Sequence, residues 1–339
     1  MLSHFRANIW LLMVTLVLSS ILYPAVLWAV GQGCFSYQAE GSLITGADGR
    51  PVGSALIAQP FGGDEYFHPR PSSVSYNASA SGASNWGASN YQLRDRVARQ
   101  LGPMVKYRGG ARKGQPVGPD IERWFREDRF QGKRGIVAQW AQAHTGLAQA
   151  WAKSDAVQAD YLSAWRKSHR TEVAEWLKAH PQDAEAKPED LAVPFFVSFS
   201  KEQPGKWPLV VEEKADGQTK KSVKPASEGS DIQAVFFDMW REEHSDVELE
   251  SVPSDLVMAS GSGLDPHITL KGARYQLDRV VAAWTAKAVG DQAKIRASIE
   301  KLLNDKAAAP FGGAIGVPLV NILEVNIALR DQMRPLQGR

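Results

Sequence analysis

One uncharged apolar run near the N-terminus constrains this chain more than any other feature. It spans residues 9–30 and reads IWLLMVTLVLSSILYPAVLWAV. A helix of 22 residues is about 33 Å long at about 1.5 Å per residue, which is enough to cross a hydrocarbon core of about 30 Å. No second run of this length follows in the sequence. The run therefore predicts one membrane-spanning helix, which decides where the more polar remainder lies.

A retained transmembrane helix is favoured over a cleaved leader. A secretory signal has a shorter apolar core and small residues at its cleavage site, whereas this run is long and has Trp28 where small residues are needed. A lipoprotein signal needs an apolar residue and small residues just before its cysteine, but Cys34 follows Gly-Gln-Gly. Trp10 and Trp28 lie about 27 Å apart along a helix, so each can sit in an interfacial aromatic belt.

The charges that flank the run predict its orientation. The α-amino group, His4 and Arg6 precede it, and no Lys or Arg follows it until Arg50. Positive flanks stay in the cytoplasm, so residues 1–8 are predicted to be cytoplasmic and the bulk of the chain extracytoplasmic. Pro24 removes a backbone donor and predicts a kink before the end of the helix. The alternative is that Tyr23 and Pro24 merely mark the helix end.

Charge and cysteine content exclude several classes of function. The chain has 39 Lys and Arg against 37 Asp and Glu, which gives a formal charge of +2. A general nucleic-acid-binding protein shows a clustered basic excess, so no nucleic-acid partner is expected. The single cysteine, Cys34, cannot form an intramolecular disulfide and excludes cysteine-rich metal sites.

Residues 31–103 predict an ordered region rich in turns. Residues 53–59 are interpreted as a strand, and Ser89-Asn90 precedes a predicted helix over residues 91–101. His68 and Arg70 are each followed by proline, which favours extended backbone and places both side chains on the same side. This pair could bind an anion or an acidic partner. The alternative is a structural loop in which Arg70 pairs with a carboxylate.

Residues 104–250 contain seven of the eleven tryptophans. Apolar periodicity predicts a helical pair over 136–152 and 155–179, followed by strand-like runs at 193–199 and 207–212 and a solvated loop at 214–230. A tryptophan stripe at helical spacing predicts a buried core; an exposed aromatic face for a partner or a membrane is the alternative. Four histidines lack metal-ligand spacing and are expected to face solvent, namely His144, His169, His180 and His244.

A predicted short strand runs into Gly261-Ser-Gly263 in the last segment. This resembles half of a phosphate-binding turn, but no Gly-x-x-x-x-Gly-Lys-Ser/Thr occurs. Asp265 and His267 beside Ser260 or Ser262 evoke a hydrolase trio, yet Ser262 lacks the Gly-x-Ser-x-Gly spacing of a nucleophile elbow. An ordered loop in which Asp265 caps a turn is therefore favoured over catalysis. Helices are predicted over residues 273–288, 291–304 and 320–329.

Seven short motifs occur in a fixed order along the chain. They are YP at 23–24, QAEGSLI at 38–44, YFHPRPS at 66–72, YN at 76–77, SGASN at 81–85, DLVMASGSGLDPHI at 255–268 and VNILEVN at 320–326. Together they resemble the motifs of the KdpC family, the C subunit of the potassium-transporting P-type ATPase. The order of several motifs makes the resemblance specific, and it covers roughly residues 1–103 and 251–339.

The resemblance implies one transmembrane helix and a mixed α/β, or α+β, extracytoplasmic domain formed by residues 31–103 and 251–339. Residues 104–250 would be a tryptophan-rich, largely helical insertion. The chain would lie in the bacterial inner membrane beside a P-type ATPase subunit and a channel-like potassium-binding subunit. The family role is a catalytic chaperone that raises the affinity of the ATPase subunit for ATP, with no cofactor of its own. Because ATP is cytoplasmic, direct contact between the soluble domain and the nucleotide is not expected.

Thirteen residues of these motifs are the candidate structural or interaction residues, and none is expected to be catalytic or to bind a metal. They are Tyr23, Pro24, Tyr66, His68, Arg70, Asn85, Ser260, Ser262, Asp265, His267, Asn321, Glu324 and Asn326. The insertion is one departure from the family pattern; the apolar GVPLV at 316–320, in place of Gly-Glu-Pro-Arg-Val, is another. Two other functions stay open: a membrane-anchored periplasmic hydrolase and a tryptophan-rich interaction module.

Overall fold

The chain forms two compact units. The first unit combines Met1–Asn85 with Pro253–Arg339, and the second unit is Trp86–Val252. The helix over 91–101, which the sequence division at residue 103 grouped with the first part, belongs to the second unit because it packs against the helix Ser230–Glu243. The structure is a computed structural model, and it describes residues 2–46, 49–127, 135–215, 218–287 and 291–337.

The apolar run lies within one continuous helix, Leu2–Cys34, which has 33 residues and contains an 18-residue stretch with a mean hydropathy of 2.1. Its three parts are the α-helix Leu2–Val17, the π-helical turn Leu18–Leu22 and the α-helix Tyr23–Cys34. By length and composition this helix can cross a membrane. Pro24 has no N–H to donate, and the Tyr23 N–H bonds the Leu18 carbonyl. The irregularity predicted from Pro24 is therefore a π-turn, which reorganises the helix hydrogen bonds ahead of the proline.

Short antiparallel strand pairs and helices form the rest of the first unit. Leu43–Thr45 pairs with Pro51–Ser54, and His267–Thr269 pairs with Leu319–Asn321. The described helices are Ser36–Ala39, Leu270–Lys287, Gln292–Lys306 and Ile322–Gln337, with 3-10 turns at Ser254–Leu256 and Pro310–Gly313. We call Leu270–Lys287 the clamp helix and Ile322–Gln337 the terminal helix.

Three predicted elements of the first unit differ from the observed ones. The strand predicted over 53–59 ends at Ser54, and the segment before Gly261 forms a 3-10 turn instead of a strand. The helix predicted over 320–329 begins only at Ile322. Its start is fixed by the Oδ1 atom of Asn321, which accepts hydrogen bonds from the N–H groups of the second and third helical residues at 3.1 and 3.3 Å, as an N-cap side chain does.

Helices and one hairpin form the second unit. The described helices are Tyr91–Leu101, Gly118–Glu127, Ile136–Ala143, Thr145–Lys153, Ala156–Ser168, Arg170–Ala179, Ala192–Glu202 and Ser230–Glu243, with a 3-10 turn at Gly110–Arg112. The hairpin pairs Trp207–Ala215 with Gln218–Ala226. The predicted helical pair is thus four shorter helices. The strand predicted over 193–199 is a helix, and the loop predicted over 214–230 contains the whole of the second hairpin strand.

Tryptophan rings form the core of the second unit. Trp140, Trp207 and Trp240 are at most 2% exposed. The Trp140 ring meets Trp207 edge to face at 5.0 Å, and Trp207 stacks on Phe196 at 5.2 Å. Trp124 and Trp165 are also buried, while Trp151 and Trp176 pack partly buried against this core. The predicted core is confirmed, and the alternative of an exposed aromatic face is wrong for these rings.

A tryptophan followed four residues later by histidine recurs in this unit at helix ends. In each pair the histidine ring stacks on the tryptophan ring, and its Nδ1 hydrogen-bonds the tryptophan carbonyl oxygen. The pairs are Trp140–His144, Trp165–His169, Trp176–His180 and Trp240–His244, with ring centroids 4.0–6.0 Å apart and Nδ1···O distances of 2.8–3.1 Å. The prediction that these histidines face solvent is therefore wrong, because each is a partly buried helix cap.

One of these histidines has a carboxylate partner. The Nε2 atom of His169 lies 2.9 Å from Glu202 Oε1, which also accepts from the Ser198 hydroxyl at 2.7 Å. Burial lowers the pKa of His169, but the bonds to Glu202 and to the Trp165 carbonyl outweigh it, so this pKa is raised. The hydrogen bonds from Ser198 and His169 lower the pKa of Glu202.

We expect His169→Gln to destabilise the second unit more at pH 5.5 than at pH 8.5. A raised histidine pKa stabilises the fold below its unfolded value, about 6.5, and this stability is lost as pH rises through the folded pKa. A lowered glutamate pKa stabilises the fold above the unfolded pKa of about 4.3, and this stability is lost as pH falls through the folded pKa. The Glu202 side chain is 55% exposed, so screening limits the pair to about 0.2–1 kcal/mol.

Denaturation followed by tryptophan fluorescence measures this difference. His180→Gln is the matched control, since it removes the same stack and carbonyl bond without an ion pair to Glu202. An equal loss of stability for His169→Gln at both pH values would contradict the assignment.

Candidate functional site

Two side-chain amides bind consecutive peptide groups of the YFHPRPS motif. The Phe67 N–H donates to Asn326 Oδ1 and the Asn326 amide donates to the Phe67 carbonyl, both at 2.9 Å. The His68 N–H donates to Gln276 Oε1 at 2.8 Å, and the Gln276 amide donates to the His68 carbonyl at 3.0 Å. Phe67 and Asn326 are 0% and 1% exposed. The loop backbone thus has its buried hydrogen-bonding groups satisfied by the terminal helix and the clamp helix.

Arg279 of the clamp helix binds the first residue of this motif and the segment before it. Its guanidinium donates to the carbonyls of Asp64 at 2.8 Å and Tyr66 at 3.0 Å, and to Gln276 Oε1 at 2.8 Å. Burial, and then the positive charge of Arg279, lowers the pKa of His68. The His68 ring is therefore neutral at neutral pH, and its Nε2 lies 3.1 Å from the Gly63 carbonyl oxygen.

The end of the clamp helix holds Glu65. The Trp284 indole donates to the Glu65 carbonyl at 2.8 Å, and the Lys287 ammonium lies 2.5 Å from the Glu65 carboxylate. This bond to Lys287 is the main reason that the pKa of Glu65 is lowered. Side chains from one helix therefore fix the loop over residues 63–68. We call these side chains, which are Gln276, Arg279, Trp284 and Lys287, together with Asn326, the loop clamp.

Arg70 has different partners from His68. Its Nη1 lies 3.5 Å from Asp265 Oδ2, and its Nε donates to the Met258 carbonyl at 3.5 Å. Asp265 Oδ1 lies 3.0 Å from the His267 N–H and 3.2 Å from its ring Nδ1. The bond from His267 is the main reason that the pKa of Asp265 is lowered. The structure therefore shows the arginine–carboxylate pair, not a paired histidine and arginine facing an anion.

The two serines of the last segment bond to backbone groups. Ser260 Oγ accepts from the Asp265 N–H at 3.4 Å, and Ser262 Oγ accepts from the Leu264 N–H at 3.1 Å. Within the described ranges neither hydroxyl hydrogen-bonds His267, so the contact between nucleophile and base that a serine hydrolase uses is not formed.

The Gly-Ser-Gly turn instead makes a close backbone contact. The Gly82 N–H donates to the Ser262 carbonyl at 2.9 Å. Gly263 has φ +67°, and a Cβ there would lie 2.8 Å from the Gly82 carbonyl oxygen. Both the left-handed backbone and this approach require glycine. The SGASN and DLVMASGSGLDPHI motifs therefore contact each other through closely packed backbone, which explains the glycines.

A cavity of about 570 Å³ lies beside this turn. We call it the motif cavity; it is lined by Leu56, Arg70, Ser262, Asp265 and His267, among others. Leu56 is 62% exposed. Ionic, hydroxyl and apolar groups from two distant parts of the sequence thus share one concave surface.

The structure places the remaining candidate residues elsewhere. Asn321 donates to the Ala55 carbonyl at 2.8 Å, and Glu324 lies 3.4 Å from the Lys306 ammonium. Asn85 is exposed at the end of the first segment with φ +53°. Tyr23 and Pro24 lie in the N-terminal helix. In the parts of the chain that the structure describes, no group of three or more His, Cys, Asp or Glu side chains could hold a metal ion.

Four residues of the loop clamp could not be found from the motifs: Gln276, Arg279, Trp284 and Lys287. One local signal was available. Gln276 lies on the buried face of the clamp helix in line with Ala273 and Val280, so a polar side chain occupies an apolar stripe. Such a residue needs a hydrogen-bond partner, which here is the His68 backbone.

Comparison with known proteins identifies the family. The sequence model of the family described as "KdpC: K+-transporting ATPase, c chain" matches residues 5–121 and 215–331. A potassium-transporting ATPase KdpC subunit of Caulobacter vibrioides strain NA1000 is 39% identical over 149 residues, which cover 40% of this chain and 76% of the relative.

Two further relatives carry the same description. The subunit of Geobacter sulfurreducens is 48% identical over 88 residues, covering 25% of this chain and 47% of the relative. That of Pseudomonas aeruginosa strain PAO1 is 40% identical over 99 residues, covering 29% and 54%. The chain thus spans about half the length of these two relatives. Since the family model matches more than half of the chain, in segments that contain the loop clamp and the motif cavity, this protein belongs to the KdpC family.

Proposed function

We propose that this chain is a non-catalytic accessory subunit of an ATP-driven potassium uptake pump. The observation that carries the proposal is that family-matching segments from both ends of the chain build one loop clamp and one cavity, without a serine–histidine contact. The subunit stabilises the complex and raises the affinity of a P-type ATPase subunit for ATP, with no cofactor of its own. Its other partner is a channel-like potassium-binding subunit.

We further propose that residues 1–8 are cytoplasmic and that the bulk of the chain, from residue 31 onward, lies outside the bacterial inner membrane. His4 and Arg6 before the helix, with no Lys or Arg after it until Arg50, support this orientation. ATP is then on the opposite side of the membrane from residues 31–339. The effect on ATP affinity therefore passes through contacts in the bilayer, as a coupling between subunits.

The tryptophan-rich residues 104–250 are proposed to be an insertion in the extracytoplasmic domain. The family model leaves residues 122–214 unmatched, and these lie within the compact second unit. The proposed division 31–103, 104–250 and 251–339 therefore places the pump-facing residues in the first and last segments.

The motif cavity is the proposed contact with the channel-like subunit. Leu56 offers an exposed apolar side chain at the cavity, while Arg70, Asp265 and His267 offer hydrogen-bonding groups that are 28–40% exposed. An apolar side chain surrounded by a few polar groups is typical of a surface that binds another protein.

We expect Leu56→Asp to reduce the amounts of ATPase and channel-like subunits that co-purify with this chain by at least tenfold. The substitution places a charge where an apolar anchor would be desolvated, which costs binding energy. Purification from membranes in mild detergent, followed by protein identification, measures this. Leu43→Asp is the matched control, because Leu43 is also exposed, at 48%, but does not line the cavity.

Recovery of the wild-type chain without either subunit would overturn the proposed function. An equal loss for Leu43→Asp and Leu56→Asp would instead overturn only the assignment of the contact to the motif cavity.

A further inference from the structure

The longest stretch of the sequence without a hydrogen-bonding side chain lies in the last segment. It spans residues 307–320 and reads AAAPFGGAIGVPLV. The backbones of Ala308 and Leu319 exchange two hydrogen bonds of 2.9 Å, which close residues 309–318 into a loop with a 3-10 turn at Pro310–Gly313. We call residues 309–318 the apolar loop.

The apolar loop exposes its larger aliphatic side chains. Residues 312–318 are all exposed, with Ile315 at 67% and Val317 at 54%. The two arms of the loop lie close together, since a Cβ at Gly316 would be 3.5 Å from the Pro310 ring. Grouped apolar side chains on a surface mark a site that contacts another protein or a membrane.

Exposed apolar side chains are confined to the unit that contains the membrane-spanning helix. Among the residues whose exposure the structure describes, every exposed large apolar side chain lies in residues 2–56 or is Ile315 or Val317, and none lies in the second unit. This distribution indicates that the bilayer, which the same unit already contacts through its helix, also covers the apolar loop.

Hydrogen bonds connect the base of the apolar loop to the segment that follows the helix. The Asn321 amide donates to the Ala55 carbonyl at 2.8 Å, and the Ala55 N–H donates to the Ser42 carbonyl at 2.9 Å. Ser42 lies eight residues after Cys34, where the helix ends. Ile315 is six residues from Asn321, which is at most about 20 Å of extended chain. The loop is therefore within reach of the bilayer.

The chemistry of the apolar loop favours lipid over protein as its partner. Protein interfaces contain hydrogen bonds and a polar rim, and the motif cavity offers such groups through Arg70, Asp265 and His267. No side chain of residues 307–320 can hydrogen-bond. Acyl chains require no such bonds, whereas irregular backbone does require water or a partner. Aliphatic side chains can therefore enter the acyl region while the loop backbone stays in the hydrated headgroup layer.

We propose that the apolar loop inserts Ile315 and Val317 into the surface of the bilayer that the N-terminal helix crosses. The insertion is shallow, about 5–10 Å from the headgroups inward. Because the helix holds the loop close to the bilayer, the effective concentration of lipid is high, and two aliphatic side chains suffice. This contact fixes how the first unit lies on the membrane, and it holds for either orientation of the helix.

Fluorescence quenching in the full-length chain tests this insertion. Cys34→Ser removes the native thiol, and Ile315→Cys carries a nitrobenzoxadiazole dye in phosphatidylcholine vesicles. Part of the lipid bears a nitroxide near the headgroup end of its acyl chains, in both leaflets. We expect this lipid to quench the dye at least about twofold and aqueous iodide to quench it weakly. Ala80→Cys is the matched control, since Ala80 is exposed in the same unit, and we expect the opposite pattern there.

A charged substitution shows whether the side chains or the dye cause the insertion. With the dye on Val317→Cys, Ile315→Asp is expected to abolish quenching by lipid, because a carboxylate stays in water, while Ile315→Leu retains it. Both changes lie at an exposed position, so the fold tolerates them. Unchanged quenching in Ile315→Asp, or equal quenching by lipid at positions 80 and 315, overturns the proposal. Shielding at position 315 only after the ATPase and channel-like subunits are added also overturns it, in favour of a protein contact.

Discussion

Replacing Asn326 with alanine is expected to destabilise the first unit by roughly 2–6 kcal/mol. The Asn326 side chain binds both the N–H and the carbonyl of Phe67 at 2.9 Å. Its loss leaves two buried backbone groups without partners, and each such group costs about 1–3 kcal/mol. Hydrogen bonds to solvent do not replace these bonds, because Phe67 and Asn326 are both buried.

Amide hydrogen exchange of peptides covering residues 61–72, in the full-length protein, measures this effect locally. We expect much faster exchange of this loop in the variant. Asn304→Ala is the matched control, since Asn304 is exposed and accepts one bond from Arg274 at 2.8 Å; surface changes of this kind usually stay within about 0.5 kcal/mol. Similar losses in both variants would show that Asn326 does not hold the loop.

A second substitution separates hydrogen bonding from side-chain volume. Asn326→Asp keeps an acceptor for the Phe67 N–H but places a negative oxygen against the Phe67 carbonyl. Protonation converts that oxygen into a donor. The destabilisation by Asn326→Asp should therefore shrink as the pH falls, whereas that by Asn326→Ala should not.

Features that depend on near neighbours in the sequence were predictable. The helix Tyr91–Leu101 has the predicted bounds, and Asn90 caps it by accepting from the Gln92 N–H at 2.8 Å. Asp291 caps the helix Gln292–Lys306 in the same way, through Ala293 at 2.8 Å. A cap needs only residues two or three positions apart, so its residue types suffice. The apolar helix was predictable for the same reason.

The helix Ala192–Glu202 was not predictable from its residues. Its phenylalanines and valines favour a strand, and Pro194 argues against regular structure. The proline lies in the first helical turn, where a missing N–H costs nothing. Phe195 stacks on Trp151 at 5.5 Å, and Phe196 meets Trp140 edge to face at 5.3 Å. Tertiary packing of these rings, which local propensity does not report, decides the conformation.

The strand Gln218–Ala226 looked like a solvated loop because it is rich in lysine. Its partner strand supplies the missing information. Glu212 lies opposite Lys221, and Glu213 opposite Lys220, so opposite charges pair across the hairpin. Lys221 also lies 2.8 Å from Asp155. A run of like charge is therefore compatible with a strand when its neighbour carries the other sign.

The motif residues of the candidate site were predictable, but the contacts that join them to distant residues were not. Asn326 was singled out by the VNILEVN motif, but its partner Phe67 lies 259 residues away. Gln276 and Arg279 lie in none of the seven motifs, and their partners lie more than 200 residues away. Contacts at this separation follow from the fold, so one sequence does not reveal them.

Leu18→Arg is expected to abolish stable membrane insertion of the chain. Leu18 lies near the middle of Leu2–Cys34, about 15 Å from either face of a core about 30 Å thick. An arginine at the centre of a helix costs about 2.5–3.5 kcal/mol of insertion free energy, which is roughly a hundredfold in the equilibrium. Alkaline extraction of membranes should release the variant and retain the wild-type chain. Retention of both, with unchanged co-purification of the pump subunits, would contradict this.

Two matched substitutions at the ends of the same helix test its orientation. Phe5 and Phe35 are exposed to similar extents, 66% and 57%. An arginine at either position costs less than one at Leu18, because both lie at the ends of the helix and not at its centre. If residues 1–8 are cytoplasmic, Phe5→Arg strengthens the positive-inside bias and Phe35→Arg opposes it. Cys34, the only cysteine in the sequence and exposed, reports the outcome through a membrane-impermeant thiol reagent. Labelling from outside should persist in Phe5→Arg and fall in Phe35→Arg. The reverse pattern would place the chain after the helix in the cytoplasm.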